Sequence, residues 1–311
     1  MEIHQLRYFV EVVRIGNFTR AAERCHVTQP TLSHQIKKLE DELGEPLLQR
    51  RKKGVAPTPF GERFLVRATT VLRELNEATA EASAFRSEVQ GVLRLGAIPT
   101  VAPYLLPPLL HAAREQFPAL RFTVSEEPTD VLLQQMRRGD LDAALVSPPM
   151  QGAEEWGIAS LLEDELLATL PEGHVLAASA TVPLARLVAE PLVLMKEAHC
   201  LRGQALQLCR DARLETNIAI ESSQLETVLA LVESGLGLSL TPRMAIARAA
   251  SRPVVFRSLA PNPVYRSIAL VWPRQATRTH AFDAFLQLAQ ETLAESLKER
   301  EPEIEQSSVS F

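Results

Sequence analysis

The sequence predicts an α/β protein with an all-α N-terminal part: a winged helix-turn-helix, a long linker helix, and a regulatory body of two α/β lobes. Three observations predict it. Three short helical patterns follow one another within residues 1–58. From Pro59 to about Glu88 there is no internal Pro or Gly apart from Gly61. After Gly91, strand-like apolar runs alternate with helical patterns, which implies βαβ units and a parallel sheet.

In the first segment, Leu6, Phe9, Val10 and Val13 recur at helical spacing, and Gly16-Asn17 breaks the pattern. A second short helix, about Thr19 to Cys25, would bury Phe18, Ala21, Ala22 and Cys25. Cys25 is given a packing role. A third helix follows in HVTQPTLSHQIKKLEDELG. Thr28 is its expected N-cap, Pro30 is harmless in the first turn, and Gly44 ends it. Leu32, Ile36, Leu39 and Leu43 form one apolar stripe, and Pro30, Ser33, His34 and Lys37 lie opposite. Two short helices, a tight turn and a polar outer face describe a DNA-reading helix-turn-helix. Thr28, Gln29, Pro30, Thr31, Ser33, His34 and Lys37 are the residues expected at the DNA. Arg50, Arg51, Lys52 and Lys53 precede a Gly and suit a basic wing on phosphates. Charge agrees, since residues 1–65 carry 11 Lys+Arg against 8 Asp+Glu, in a chain whose net charge is -5. The alternative for the basic run is a solvated surface face.

In the linker, Phe64, Ala68, Val71, Leu75, Ala78, Ala82 and Phe85 alternate in steps of four and three, a heptad seam. It predicts a two-stranded coiled coil that pairs two reading heads on a partly two-fold-symmetric DNA site. A helix packed on its own body is the other possibility. The expected boundaries are residues 1–58 for the reading head, 59–90 for the linker and 91–300 for the body. The body divides into 91–162 with 267–300, and 163–266. A disordered polar tail is expected over 301–311.

Composition is that of a water-soluble globular protein, with 46% hydrophobic and 23% charged residues. There is no signal-peptide layout or apolar run of membrane-spanning length, so a cytoplasmic protein without a membrane partner is expected. No Walker loop, dinucleotide fingerprint, nucleophile elbow or HExxH motif occurs, so no cofactor and no metal are expected. Gly235 and Gly237 superficially suggest a phosphate loop, but they follow a helix and precede a strand.

Two of the three cysteines fall in HCLRGQALQLC, residues 199–209. On one continuous helix, nine steps leave Cys200 and Cys209 half a turn out of phase and about 13.5 Å apart along the axis. A disulfide needs α-carbons within about 7 Å, so it would require a loop or a remodelled segment. That is a possible switch, but Cys209 could equally be a small core residue. Cys200 lies beside His199 and near Arg202 at an expected helix start, a setting that lowers a thiol pKa.

The segment LRYFVEVVRIGNFTRAAERCHVTQPTLSHQIKKLEDELGEPLLQR…PTPFGE resembles the N-terminal domain of LysR-type transcriptional regulators. The body resembles their regulatory domain, itself like periplasmic binding proteins. KEAHCLRGQALQLCR is similar to the redox segment of the peroxide-sensing OxyR subfamily. This resemblance implies that Cys200 is the peroxidatic cysteine and Cys209 the resolving one. IPTVAPYLLP and EEPTDVLLQQMRRGDLD add Thr100 and Thr129. With His199 and Arg266, these residues would hold hydrogen peroxide. The same resemblance implies promoter DNA, a second copy of the chain, a tetramer, RNA polymerase and a thioredoxin- or glutaredoxin-type reductant as partners. Activation of antioxidant genes would follow from oxidation. Gly203 stands where the subfamily often has an acid. Two rivals remain at this point: a LysR-type regulator binding a metabolite between the lobes, and a thiol peroxidase. The second leaves the helix-turn-helix unexplained.

Overall fold

A computed structural model describes residues 1–51, 54–84, 89–197 and 199–306. The chain divides into two compact units. The first contains Met1–Glu88 with Gln135–Asp140 and Ala276–His280, and the second the remainder.

The first unit begins with α1 (Ile3–Ile15), α2 (Phe18–Arg24) and α3 (Gln29–Leu43). Gly16 stops α1 in the left-handed conformation (φ 68°), and the Asn17 side chain accepts from the Arg20 N–H to start α2. The Thr28 hydroxyl accepts from the Thr31 N–H at 3.4 Å at the head of α3, and Gly44 (φ 73°) ends it. Ala21 and Ala22 let α2 close onto Leu32 and Ile36 of α3 around Val12. Tyr8, Phe18 and Cys25 flank that core. The fully buried face of α1 is Leu6, Phe9 and Val12, with Gln5, whereas Val10 and Val13 are only partly covered. Buried Gln5 is satisfied by donating to Gln35 of α3 at 3.1 Å.

Strands β1 (Leu48–Arg51) and β2 (Gly54–Pro57) pair antiparallel as the wing. Gly54 sits at φ +94°, and a Cβ there would fall 2.5 Å from the Gly16 carbonyl oxygen, so only glycine fits. Arg50 lies opposite Val55 and Arg51 opposite Gly54, while Lys52 and Lys53 fall outside the described residues. Helix α4 (Pro59–Ala84) follows. Thr58 caps it through the Gly61 N–H at 2.9 Å, and a Cβ on Gly61 would strike the Leu47 carbonyl.

The heptad seam needs correction at its start. Phe64 and Ala68 pack into the core of Leu6, Phe9, Leu39 and Leu47 of the same chain, with Ala68 only 1% exposed. A heptad cannot distinguish a helix of its own chain from that of a partner. Val71 (47%) and Ala78 remain exposed, and Phe85 lies outside the described residues.

The second unit runs β3 (Gly91–Ala97), α5 (Ala102–Gln116), β4 (Leu120–Glu126), α6 (Thr129–Arg137), β5 (Ala143–Val146), β6 (Trp156–Pro171), β7 (Thr181–Pro183), α7 (Leu184–Val188), β8 (Leu192–Met195), α8 (Cys200–Asp211), β9 (Ile218–Ser222), α9 (Leu225–Glu233), β10 (Ser239–Pro242), α10 (Ile246–Ala249), β11 (Val254–Ala260), β12 (Val264–Pro273) and α11 (His280–Gln306). The strand order is β4-β3-β5-β12-β6-β11-β7, with β10 also on β6 and a separate β8-β9 pair. The sheet is therefore mixed. β3 pairs parallel with β4 and β5, whereas β12 runs antiparallel to β5 and β6. ELLATL is the second half of the long β6, which crosses from one lobe to the other beside β12. One lobe buries Leu95, Leu109, Leu132, Leu145 and Phe285. Gly96 brings β3 and α6 close, since a Cβ would fall 2.6 Å from Leu132. In the other lobe, Leu187, Leu194, Ala205, Cys209 and Leu240 share one core. Helix α11 continues to Gln306, into the stretch expected to be an unstructured tail.

Candidate redox site and DNA-reading surface

The outer face of α3 is polar and open. Thr28, Gln29, Pro30, Thr31, His34 and Lys37 are exposed, and Ser33 is partly so. Lys37 has a loose pair with Asp41 at 3.9 Å. Its charge is thus available at the surface, as phosphate contacts require. The inner face, Leu32, Ile36 and Leu39, is spent on the core.

Helix α8 carries both body cysteines and is unbroken. All three cysteines are free thiols. His199 is the N-cap residue and Cys200 the first helical residue, with Cys209 near the far end. Cys209 is 2% exposed, in the apolar core of its lobe. Cys200 keeps some solvent contact as a residue, yet its sulfur is nearly enclosed, and the sulfur's surroundings govern the thiol.

Those surroundings correct one expectation. Burial pushes the Cys200 thiol up from its ordinary value. The Arg266 guanidinium, the N–H groups of Leu201 and Cys200, and the Thr129 hydroxyl pull the other way without prevailing. His199 is itself buried, and burial lowers its pKa, which disfavours its charged form. Arg202 turns to Glu221 at 2.8 Å and Glu197 at 4.0 Å. Neither neighbour supplies the uncompensated positive charge that adjacency in sequence suggested.

Arg266 is 3% exposed and anchored on three sides. Nη1 donates to Thr100 Oγ1 at 2.9 Å, Nη2 to the Thr100 carbonyl at 3.0 Å, and Nε to Asp164 Oδ2 at 3.0 Å. Nη2 also lies 3.7 Å from the Met244 sulfur. Thr100 precedes α5 and is 1% exposed, and its oxygen already accepts from Arg266. Its hydroxyl proton is therefore left to donate. Thr129 opens α6. Its Oγ1 is buried and makes no hydrogen bond of ordinary geometry, although it is near enough to Cys200 to favour the thiolate. The Thr129 hydroxyl is thus directed at the Cys200 sulfur, where a donor stabilises the thiolate. One turn beyond Cys200, Gln204 donates to Ser147 at 2.8 Å and also carries a buried oxygen, Oε1, without a partner.

Thus α8, the turn before α5, the head of α6 and β12 bring Cys200, Thr129, Thr100 and Arg266 into one buried cluster. Cys209 stays on the opposite side of α8. Sequence reasoning missed Asp164, Met244, Gln204 and Ser147. Asp164 left one signal, its place in a run of three acids, Glu163 to Glu165, between the apolar stretches of β6. Among the described residues no His, Cys, Asp or Glu group is arranged to hold a metal, and no helix is long and apolar enough to cross a membrane.

A winged helix-turn-helix, a long helix and a two-lobed α/β body with a buried polar site define the class: a DNA-binding regulator whose body receives a signal. Residues 3–62 match the family described as bacterial regulatory helix-turn-helix protein, lysR family, and residues 86–294 match the LysR substrate binding domain. The chain belongs to the LysR family. It is 36% identical over 274 residues to the DNA-binding transcriptional dual regulator OxyR of Escherichia coli, covering 88% of this chain and 89% of that protein. A probable hydrogen peroxide-inducible genes activator of Mycobacterium avium is 38% identical over 280 residues, 89% of each chain. Among solved structures, full-length OxyR of Pseudomonas aeruginosa, in a cysteine-to-aspartate variant, superposes with a TM-score of 0.79 at 32% identity. That match covers 94% of this chain and 97% of the other. A cysteine mutant of Corynebacterium glutamicum OxyR bound to hydrogen peroxide gives 0.65 at 30% identity, over 96% and 94%.

Proposed function

We propose that this protein is a transcription regulator that senses hydrogen peroxide through Cys200. The observation that carries the reading is the cluster at the head of α8: a buried thiol, the Thr129 hydroxyl beside it, and Thr100 polarised by Arg266. Hydrogen peroxide suits such a cluster chemically, being small and both donor and acceptor. The Mycobacterium avium relative, named as a probable activator of hydrogen peroxide-inducible genes, supports it.

The chemistry follows from the residues. The Cys200 thiolate attacks one peroxide oxygen. An S–O bond forms as the O–O bond breaks, leaving Cys200 as sulfenic acid. Negative charge develops on the departing oxygen, where Thr100 and Arg266 stabilise it and a proton completes water. The Cys209 thiol then displaces the sulfenic oxygen as a second water, and a disulfide forms. The two cysteines lie on opposite sides of α8, so this step requires α8 to unwind and Cys209 to leave the core. The body changes shape and the paired reading heads shift on promoter DNA, activating antioxidant genes with RNA polymerase. A thioredoxin- or glutaredoxin-type dithiol resets the pair. One peroxide is consumed per cycle and the product is an altered protein, so the chain acts as a regulator and not an enzyme. It works in the cytoplasm as a dimer through α4, two dimers forming a tetramer.

The deciding experiment treats the full-length reduced protein with equimolar peroxide. Intact-mass measurement is combined with footprinting on genomic fragments that the protein selects. The reading expects a loss of two hydrogens and a changed footprint, both abolished in Cys200→Ser. Unchanged mass, or a footprint indifferent to Cys200, would reject it.

A further inference from the structure

We propose that Asp164 is the positioning residue of the peroxide site, fixing the Arg266 guanidinium in the orientation from which it polarises Thr100. The inference rests on the reading of Cys200 as the peroxide-reacting thiol. Both side chains are almost wholly buried, 1% exposed for Arg266 and 4% for Asp164. The carboxylate accepts at both ends: Oδ2 from Arg266 Nε at 3.0 Å, and Oδ1 from the Met244 backbone N–H at 3.0 Å. Both donors are N–H groups that cannot reverse their direction. An amide offers one acceptor and one donor, so asparagine would set its NH₂ against one of them. Aspartate is the residue whose charge and acceptor pattern both fit.

The fork of Arg266 is thereby held from three directions. Asp164 on β6 takes Nε, Thr100 takes Nη1 and Nη2, and the Met244 sulfur lies against Nη2. A planar guanidinium with its Nε fixed by a carboxylate cannot rotate its remaining N–H groups away from Thr100. The pairing also tempers the field of Arg266 at Cys200, which accords with burial prevailing over the guanidinium at that thiol. Titratable groups that feel this pair include Cys200 of α8 and Tyr104 of α5. Tyr104, under Arg248 and near Glu226, is pushed up to about 12 chiefly by burial, so it stays neutral throughout the useful range.

Asp164→Asn in the full-length protein tests this by stopped-flow oxidation of Cys200 with hydrogen peroxide between about pH 6 and 10. Two changes of different kinds are expected. The plateau rate falls at least about tenfold, because Arg266 is no longer aimed. The pH midpoint moves down, because removing the negative charge exposes Cys200 to the full guanidinium field. A residue that only supported the fold would not move the midpoint down while slowing the plateau. In an Arg266→Gln background, which has no fork to orient, Asp164→Asn should add no further loss. This double variant leaves neither charge unpaired, so it serves even if the single variant folds poorly. Unchanged plateau and midpoint, or an equal further loss in the Arg266→Gln background, would overturn the role of Asp164. Failure of the wild-type Cys200 to react would instead overturn the underlying reading of the site.

Discussion

Cys200 and Cys209 stand on one unbroken helix, the first at its head beside Thr129 and the second inside the apolar core on the other side. Nine residues of α-helix put them half a turn out of phase and about 13.5 Å apart along the axis. A disulfide tolerates about 7 Å between α-carbons. The bond and the helix are therefore mutually exclusive. Hydrogen exchange should show the amides of α8 protected in the reduced protein and exposed after oxidation. In Cys209→Ala, peroxide should leave α8 protected while Cys200 gains one oxygen. Protection retained in a disulfide-bonded protein would contradict the exclusion.

Cys209 is a packing residue in the reduced state, so the choice of replacement matters. It sits among Leu187, Leu194, Ala205 and Leu240. Alanine leaves a small cavity, costing about 1 kcal/mol. Serine places a hydroxyl in an apolar core, costing about 1–3 kcal/mol. Thermal melts of the reduced body should rank wild type above Cys209→Ala above Cys209→Ser. Serine equal to wild type would mean that Cys209 is not packed as described.

Gly203 lies within α8, exposed, and a Cβ there would meet nothing within 4 Å. Glycine inside a helix costs about 0.5–1 kcal/mol relative to alanine. This residue leaves α8 easier to unwind. Gly203→Ala should stabilise the reduced form and shift the reduced–disulfide equilibrium toward the thiols by roughly two- to fivefold. Equilibration with a thioredoxin-type couple would measure it. A shift toward the disulfide would show that the helix is not what resists oxidation.

Much of this was legible in the sequence, where the physics is local. Gly16, Thr28 and Gly44 mark helix ends because capping depends on a few adjacent residues. The spacing of Cys200 and Cys209 carries its geometry with it. Other features depend on partners distant in the chain. The Phe64–Ala68 seam looks alike whether it meets its own α1 or another copy. The thiol of Cys200 was expected to be acidified by His199 and Arg202. Its state is instead governed by burial, Arg266 and Thr129, none visible from adjacent residues. Strand β6 is half-exposed in its first part and buried in its second, so its length was hidden. Asp164 went unread because the donors it meets, Arg266 and the Met244 N–H, arrive from elsewhere in the fold.

Burial holds the protons of Cys200 and Cys209 above the ordinary thiol range and disfavours the charged form of His199. The thiols' contribution to stability is complete below the unfolded thiol pKa of about 8.5 and is lost as pH rises through their higher folded values. His199 contributes above about pH 6.5 and its share is lost as pH falls through its lowered folded pKa. Stability of the reduced protein should therefore decline on both sides of a neutral plateau. Reactivity should behave differently, because only the thiolate attacks. The oxidation rate of Cys200 should climb about tenfold per pH unit through neutrality and beyond pH 8.5. A plateau already reached near pH 7 would mean that the thiol is acidified after all.

The reading head can be tested apart from the redox site. Lys37 is exposed on the outer face of α3 and Gln29 is its first residue. A lysine on phosphate acts through counterion release, so Lys37→Ala should weaken binding to all sequences and reduce the salt slope by about 0.9. Gln29 carries no charge and can address only base edges or sugar–phosphate oxygens. If it reads bases, Gln29→Ala should leave the salt slope unchanged and cost about 1–3 kcal/mol at the affected base pair alone. Neither change touches the body, so the rate of Cys200 oxidation should be that of the wild type in both. Binding titrations on selected and scrambled duplexes at several salt concentrations separate these outcomes. An unchanged slope in Lys37→Ala, or uniform weakening across sequences in Gln29→Ala, would mean that α3 meets the duplex by another face.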